Sequence, residues 1–526
     1  MRNLLARREA ARTSTSEPVP EPPPPASADF ETAIAACGFG CFNVLILFIA
    51  WPVLLAVLFS VMSMSFILPI AGRDLDIVLS MKGVLYALPF AGMILSAVPW
   101  AFISDTLGRR VVLISGGWLW LICVLCLALS QNSTQLMVFK FIDGLIICGP
   151  LASIYSYLSE FHAKQHRSMV ILYVSICGSM AALILPIMAI FFLPLSIDFH
   201  IGSLSFKTWN VFLAISAVPS LIYGLMLIFL PETPKFLMSQ GNYSAALKSL
   251  QFAYALNNRK SRKPFPITKL MDDSPESFQL EHSTLRQRFH LNMLKFVEGW
   301  RQLKPLCSRL YLPTAMKAFL INFLASVCIS TMRAYLPSIC HVMKILRNSD
   351  QADCSMCNVF EYIIRINATT EDDPAQCQGS YEEYLLVPVI GLVCSIIFLP
   401  IIRNNKIAIH LLKFCLGLCT LLMIGLYFSS SLWLTLSIVS IYCGIMTVCS
   451  AALMAISVAV FPTLMRTMML MLIMTCGRAG SFVGTFVFHI FMHLGCLASF
   501  LWLTIMMAIA FIISLFLTID VHQPLK

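Results

Sequence analysis

Four ionisable side chains stand inside otherwise apolar stretches: Lys140, Asp143, Arg333 and Arg478. A charge at the centre of a membrane span costs about 2.5–3.5 kcal/mol or more, so each is a candidate for work on a solute. Lys140 and Asp143 lie on one helical face, where they neutralise each other, and the plainer reading of them is a structural ion pair. Arg333, in Thr331-Met-Arg-Ala-Tyr-Leu-Pro337, is shallow enough to snorkel, whereas Arg478, in Gly477-Arg-Ala-Gly480, is near the middle of its stretch. Together the four leave two unpaired positive charges, which favours an anionic solute.

A second group of charges lies just outside the apolar stretches. Trp100 to Arg110 runs an apolar helix end into Asp105-Thr-Leu-Gly108-Arg109-Arg110. Gly108 permits a tight turn between two helices, and Asp105 can answer the arginines. The plainer reading makes Arg109 and Arg110 anchors that fix topology. Further along stand Glu160-Phe-His-Ala-Lys-Gln-His-Arg167, Pro231-Glu232-Thr-Pro-Lys-Phe-Leu237 and Phe461-Pro-Thr-Leu-Met-Arg466. Asp105, Arg109, Glu160, Arg167 and Glu232 are expected to pair across helix ends when the cytosolic mouth is shut, forming a gate with Gly108, Arg110 and Arg466. An exposed pair is worth only about 0–1 kcal/mol, so several must act together to bias a conformational equilibrium.

The elements that must position these residues follow from composition. With 526 residues, 58% hydrophobic, 12% charged and a mean hydropathy of +0.82, the chain has too much apolar surface for a soluble core and reads as an all-α polytopic membrane protein. Apolar stretches of about 20 residues or more are expected at 43–70, 82–104, 111–130, 135–158, 168–194, 209–230, 313–338, 384–402, 407–428, 432–456, 467–491 and 495–519. They make twelve spans in two six-helix halves, 30–230 and 313–526, joined by a linker at 231–312. Two equal halves suit a transporter with its solute site at the midplane where they meet.

Net charge is +10, but the basic residues sit in short loops and not on one soluble face, so nucleic acid is not an expected partner. Most Lys and Arg fall in the tail, the linker and the loops on their side, whereas Arg73, Lys82, Lys207, Lys344, Arg347 and Arg365 lie opposite. The positive-inside bias therefore puts both termini and the linker in the cytosol. No apolar signal region precedes the first span, which is expected to serve as its own insertion signal. Residues 1–29 carry four arginines and Glu17-Pro-Val-Pro-Glu-Pro-Pro-Pro-Pro25, and read as a disordered, polyproline-like tail suited to an SH3-type partner. The linker, with its basic run at 257–263 and acidic Asp272 and Asp273, is expected to hold short amphipathic helices on the membrane surface, its charges solvated. Sequons at Asn132 and Asn367 face the lumenal or extracellular side, Asn367 being the better acceptor; Asn242 falls in the linker and is expected to be inert.

Most of the 19 cysteines lie in apolar stretches, where Cys behaves as a small hydrophobe. Cys340, Cys354, Cys357 and Cys377 share the polar loop 339–383, and their even count suggests two disulfides with three pairings open. Cys354-x-x-Cys357 could instead be a redox or zinc half-site, a weak signal standing alone. There is no P-loop, no Gly-rich phosphate cradle and no nucleophile elbow, so neither enzyme nor cofactor is expected, and no metal site beyond those loop cysteines. His489 and His493, four apart, read as interface residues.

The segments Asp105-x-x-Gly-Arg-Arg, Glu160-x6-Arg167 and Pro231-Glu-Thr-Pro-Lys resemble signatures of the major facilitator superfamily, shared by sugar porters, organic-ion transporters and the synaptic vesicle glycoprotein 2 group. Ser159-Glu-Phe-His, the 205–212 run Ser-Phe-Lys-Thr-Trp-Asn-Val-Phe, Pro231 to Gly241 and the cysteine-containing loop resemble that last group, particularly its insect-type members. The pattern departs at Ala101 and Thr106, at Arg403-Asn-Asn-Lys406 and at Ala459, so the second half lacks a matching gate. The resemblance implies a central path among helices 1, 4, 7 and 10, which makes Trp51, Tyr155, Tyr157, Tyr335 and Tyr442 candidate lining residues. It puts Lys140 at a helix 4 position commonly Arg, and Arg478 at a helix 11 position that tends to be Arg in anion carriers and Asp in cation carriers. The expected function is alternating-access transport of a small organic solute, with or without a coupling ion, in a plasma or vesicle membrane. The rival is a non-transporting vesicle or surface glycoprotein with the same fold. A channel lacks any ring of like charges or filter sequence.

Overall fold

The computed structural model describes residues 27–195, 197–202, 204–258, 264–271, 311–348, 355–366, 382–398, 400–403, 405–460 and 463–517. Residues 1–26, Arg259 to Lys263, Asp272 and Asp273, Cys354, Asn367 and Cys377 lie outside them, as does the side chain of Arg466.

Helices dominate, as uniformly apolar stretches require where backbone groups can be satisfied only within the segment. A short helix α1 (Phe30–Ala36) precedes α2 (Cys41–Asp74), α3 (Leu79–Leu107), α4 (Arg109–Ala128), α5 (Ser133–Glu160), α6 (Arg167–Phe192), α7 (Thr208–Ser216) and α8 (Val218–Ile228). Two linker helices, α9 (Pro234–Ser239) and α10 (Tyr243–Asn257), lead to α11 (Leu312–Asn348), α12 (Met356–Ile366), α13 (Leu386–Phe398), α14 (Asn405–Tyr427), α15 (Leu432–Val460), α16 (Thr463–Leu494) and α17 (Cys496–Leu515). Among the described residues, 11 helical segments are long and apolar enough to cross a membrane, and Glu383–Phe398 is a shorter apolar helix where the eighth span is expected. The sixth span is broken at Ala217, between α7 and α8, because Pro219 in the first turn of α8 has no N–H to continue the ladder.

Small residues bring the helices together. A Cβ on Gly144 would collide with the backbone of Pro89, and one on Gly92 with the carbonyl of Phe141, so α3 and α5 touch backbone to backbone. The two halves meet where α3 packs on α16, α6 on α13 and α2 on α11. The Ser179 and Ser395 hydroxyls join α6 to α13 at 2.9 Å. The Phe66 ring meets Tyr384 edge-on at 5.2 Å, and Tyr86 meets Tyr335 at 5.0 Å.

The start of the linker belongs physically to the first half. Strand β1 (Ser27–Ala28) pairs in parallel with β4 (Lys269–Leu270), and Asp29 caps α1 by accepting from the Thr32 N–H at 3.3 Å. Ala33, Ile34 and Cys37 then bury against Ala246, Leu250, Ile267 and Leu270, so one face of α10 has a packed core of its own. Asn257 closes this block: its Nδ2 donates to Cys37 O at 3.1 Å and Asn43 Oδ1 at 2.9 Å, while its Oδ1 accepts from the Phe42 N–H at 2.9 Å. Asn43 Nδ2 in turn donates to Phe161 O at 3.2 Å.

On the opposite side, β2 (Asp198–Ile201) and β3 (Leu204–Lys207) form an antiparallel hairpin. It is held by Gln131, whose Oε1 accepts from the Ser205 hydroxyl at 2.8 Å, and Asn132 lies exposed beside it at the N-cap of α5. The cysteine expectations need correction. Cys357 is bonded to Cys496, at the start of α17, with a Cα–Cα separation of 5.1 Å, and not to another cysteine of its loop. The reason is the amphipathic α12, whose Met356, Val359, Phe360 and Ile363 are buried against the end of the second half, Phe360 packing on Phe488 and Phe500. Cys340 is a buried free thiol inside α11, since that helix runs on to Asn348, beyond the expected end at 338.

Candidate functional site

The charged loop residues assemble around the α3–α4 turn. Gly108 takes φ +104°, the left-handed side that side chains disfavour, and a Cβ there would collide with Glu232 Oε2 and lie 2.9 Å from Phe236 Cε1. This turn aims Arg109 inward. Its guanidinium meets Asp105 Oδ1 at 2.8 Å and Glu160 Oε1 at 3.3 Å, donates to Ser104 O at 3.2 Å, and sits 5.4 Å from the centre of the Phe236 ring. Asp105 is 66% exposed while Glu160 is 9% exposed, so the two ion pairs are unequal.

Arg110 does different work. Its Nε donates to Leu227 O at 3.1 Å and its Nη2 to Ile228 O at 2.7 Å, capping the carbonyl end of α8. Its backbone N–H donates to both Glu232 oxygens, and the Thr233 N–H donates to Oε1 at 2.9 Å. Burial pushes the Glu232 carboxyl above the usual glutamate range, against those N–H groups and the Arg109 charge. Arg167 does not join this cluster. It pairs with Glu31 at 2.9 Å and donates to Ser159 O and His162 O, tying α6 to the α5–α6 loop and to α1. His162 is held towards its neutral form by burial, its Nδ1 2.7 Å from Leu158 O. The backbone places Arg466 in the first turn of α16.

Inside the spans, Lys140 and Asp143 are buried and mutually satisfied. Lys140 Nζ reaches Asp143 Oδ2 at 2.8 Å, Ser60 O at 2.5 Å and Ser63 Oγ at 3.2 Å, which uses all three of its donors. Trp120 Nε1 donates to the other Asp143 oxygen. This arrangement braces α5 against α2 and α4 and leaves no donor for a solute. Arg478 is placed otherwise: it projects from α16 across the seam between the halves and donates to Cys148 Sγ of α5 at 3.0 Å. No carboxylate pairs with Arg478 among the described residues. Arg333 lies beside Cys443 and Tyr384.

Of the aromatic candidates, Tyr335 is packed between Tyr86 and Phe488 with its hydroxyl donating to Thr485 O at 3.1 Å, and Tyr157 donates to Pro231 O at 2.8 Å. Trp51 and Tyr155 are half-buried and Tyr442 is buried. The Trp51 indole N–H and the Tyr442 hydroxyl have no hydrogen-bond partner among the described residues. Sequence reasoning missed Glu31, Ser60, Ser63, Trp120 and Cys148, none of which carries a local signal; each matters through a neighbour distant in the chain.

Two helical halves facing across a seam, with a charged cluster at one set of loop ends and an arginine on the seam, define a multi-pass carrier fold. The sequence profile of the Major Facilitator Superfamily matches residues 50–350, and the chain belongs to that family. Among curated proteins it is similar to synaptic vesicle glycoprotein 2A of Rattus norvegicus, 26% identical over 274 residues, covering 50% of this chain and 37% of that protein. It is likewise similar to synaptic vesicle glycoprotein 2B of Homo sapiens, 28% identical over 247 residues, covering 45% of this chain and 35% of that one. The match thus spans little more than a third of those relatives' own length. Among solved structures, the xylose transporter XylE from E. coli, in a partially occluded inward-open conformation, superposes with a TM-score of 0.64 at 13% identity, covering 92% of this chain and 100% of that one. At that identity the likeness is one of fold.

Proposed function

We propose that the protein is a secondary transporter that moves a small organic solute, an organic anion in preference, by alternating access of its two halves. The observation that carries this reading is Arg478. It crosses the seam near mid-span and meets a thiol where a carboxylate would neutralise it. An uncompensated cation in a low-dielectric seam is costly, and an anionic solute would offset that cost on binding. With Lys140 and Asp143 neutralising each other, Arg333 and Arg478 remain as the positive side chains of the path. Trp51, Tyr155, Tyr335 and Tyr442 are its proposed apolar walls.

In this reading residues 30–230 and 313–526 are the rocking halves, the 231–312 linker and both termini are cytosolic, and the Asp105–Arg109–Glu160 cluster with Glu232 latches the cytosolic side. Asn132 and Asn367 are glycosylated, and the proline-rich tail takes an SH3-type partner. The second reading, a non-transporting vesicle or surface glycoprotein, is favoured by the names of the curated relatives and by the weak gate of the second half. Uptake into proteoliposomes against panels of organic anions, cations and sugars separates the two. Anion uptake abolished by Arg478→Ala supports transport. Silence across every panel supports the glycoprotein, and anion uptake that survives Arg478→Ala removes the role given to this residue.

A further inference from the structure

A cleft of about 440 Å³ opens on the outer flank of the first half, where α4 begins, α8 ends and α10 passes. It lies away from the seam and holds none of the proposed path residues. Its lining includes Arg110, Lys248, Phe229, Phe252, Leu237 and Glu232. Three observations give it an occupant. The first is depth: Arg110 opens one membrane span and Phe229 directly follows another, so the cleft sits at the edge of the apolar layer. The second is the apolar surface offered to that layer, since Phe229 is 79% exposed and Phe252 40%. A phenyl ring so exposed in water is costly, but at an acyl boundary it is in its own solvent.

The third is charge. Lys248 is exposed and makes no hydrogen bond or ion pair among the described residues. Arg110 spends Nε and Nη2 on carbonyl oxygens, which carry no net charge, so its cation is unanswered and its Nη1 is still a donor among the described residues. The acid in the lining offsets them only in part: both Glu232 oxygens are turned to the backbone N–H groups of Arg110 and Thr233 and pair with neither cation, and two cations against one acid leave the lining net positive. The cleft therefore brings two cations and two exposed phenyl rings together beside the ends of two membrane spans.

We propose that this cleft seats an anionic phospholipid of the adjoining leaflet, its headgroup phosphate between Arg110 and Lys248 and an acyl chain along Phe229. Two cations set at headgroup depth match a phosphodiester oxyanion, and the rings match the chain below it. An occupant there would brace α10 against the α4–α8 junction.

The test uses the purified full-length protein in neutral detergent, titrated with dioctanoyl phosphatidylglycerol or dioctanoyl phosphatidylcholine and read by native mass spectrometry. The wild type is expected to retain one phosphatidylglycerol under conditions where phosphatidylcholine is lost. Lys248→Ala should weaken that binding about fivefold, and Lys248→Glu should erase the preference. Because Lys248 is exposed, both variants should melt at the wild-type temperature, and Phe229→Ser, which spares every charge, should weaken the lipid independently. Glycerol 3-phosphate, a headgroup without chains, should not compete. Equal retention of the two lipids, unchanged binding by Lys248→Glu, or full competition by glycerol 3-phosphate would each overturn the proposal.

Discussion

The backbone N–H of Arg110 donates to both carboxylate oxygens of Glu232, at 3.0 and 3.1 Å, across 122 residues of sequence. One acid thereby fixes where the third span starts relative to where the sixth ends. Glu232→Ala leaves the Arg110 and Thr233 donors without their acceptor, and hydrogen bonds to charged groups are worth about 1.5–3 kcal/mol. The variant is expected to melt several degrees below wild type in a thermal-unfolding assay of purified protein.

The same carboxyl gives a pH signature. Its folded pKa is raised by burial, so the folded state holds the proton more tightly than the unfolded chain. Its contribution is fully present below the ordinary glutamate value and is lost as pH rises through the raised one. Relative to wild type, Glu232→Gln should therefore show a flatter stability profile as pH rises above the ordinary glutamate value. Parallel slopes for the two proteins would remove this assignment.

Arg109 makes two ion pairs of different worth. Asp105 is mostly solvated, so Asp105→Ala should cost no more than about 1 kcal/mol of stability while altering the rate of solute exchange. Glu160 is buried, and Glu160→Ala should cost more, about 1–3 kcal/mol, because Arg109 then keeps only its solvated partner Asp105. A melting comparison of the two variants, with uptake rates alongside, checks the ranking.

Lys140 and Asp143 form a closed pair at 1% and 0% side-chain exposure. Lys140→Met or Asp143→Leu alone should lower stability by about 3–5 kcal/mol, because each leaves an uncompensated buried charge. The double variant should recover a large part of that loss. A double-mutant cycle read by thermal unfolding reports the coupling.

The bond between Cys357 and Cys496 closes a loop of 139 residues in sequence separation. Non-reducing peptide mapping should recover these two cysteines in one cross-linked peptide, with Cys340 alkylated only after unfolding. Cys357→Ser should lower thermal stability by about 2–5 kcal/mol.

The spans were legible because a run of about 20 apolar residues has few alternatives to a membrane helix. The α3–α4 turn was legible because Gly108 between Asp105 and Arg109 states both a backbone conformation and its charge partner. What stayed hidden was partnership across long separations. Arg167 was expected to pair with the loop acids, yet Glu31 of α1 reaches it first, 136 residues away. Cys496, which reads as one more apolar cysteine, becomes a disulfide partner only because α12 folds over the start of α17. Trp120 looks like packing in the sequence, and its role shows only once α4 sets its indole N–H against Asp143.

The hydrogen bonds of Asn257 carry a mechanical consequence. They weld the far end of α10 to the first turn of α2, so α10 is a lever arm fixed to the first half. Any tilt of that half is delivered undiminished to the exposed face of α10. A spin label or fluorophore on that face, paired with one on the second half, would read the angle between the halves directly in membranes, with no solute required.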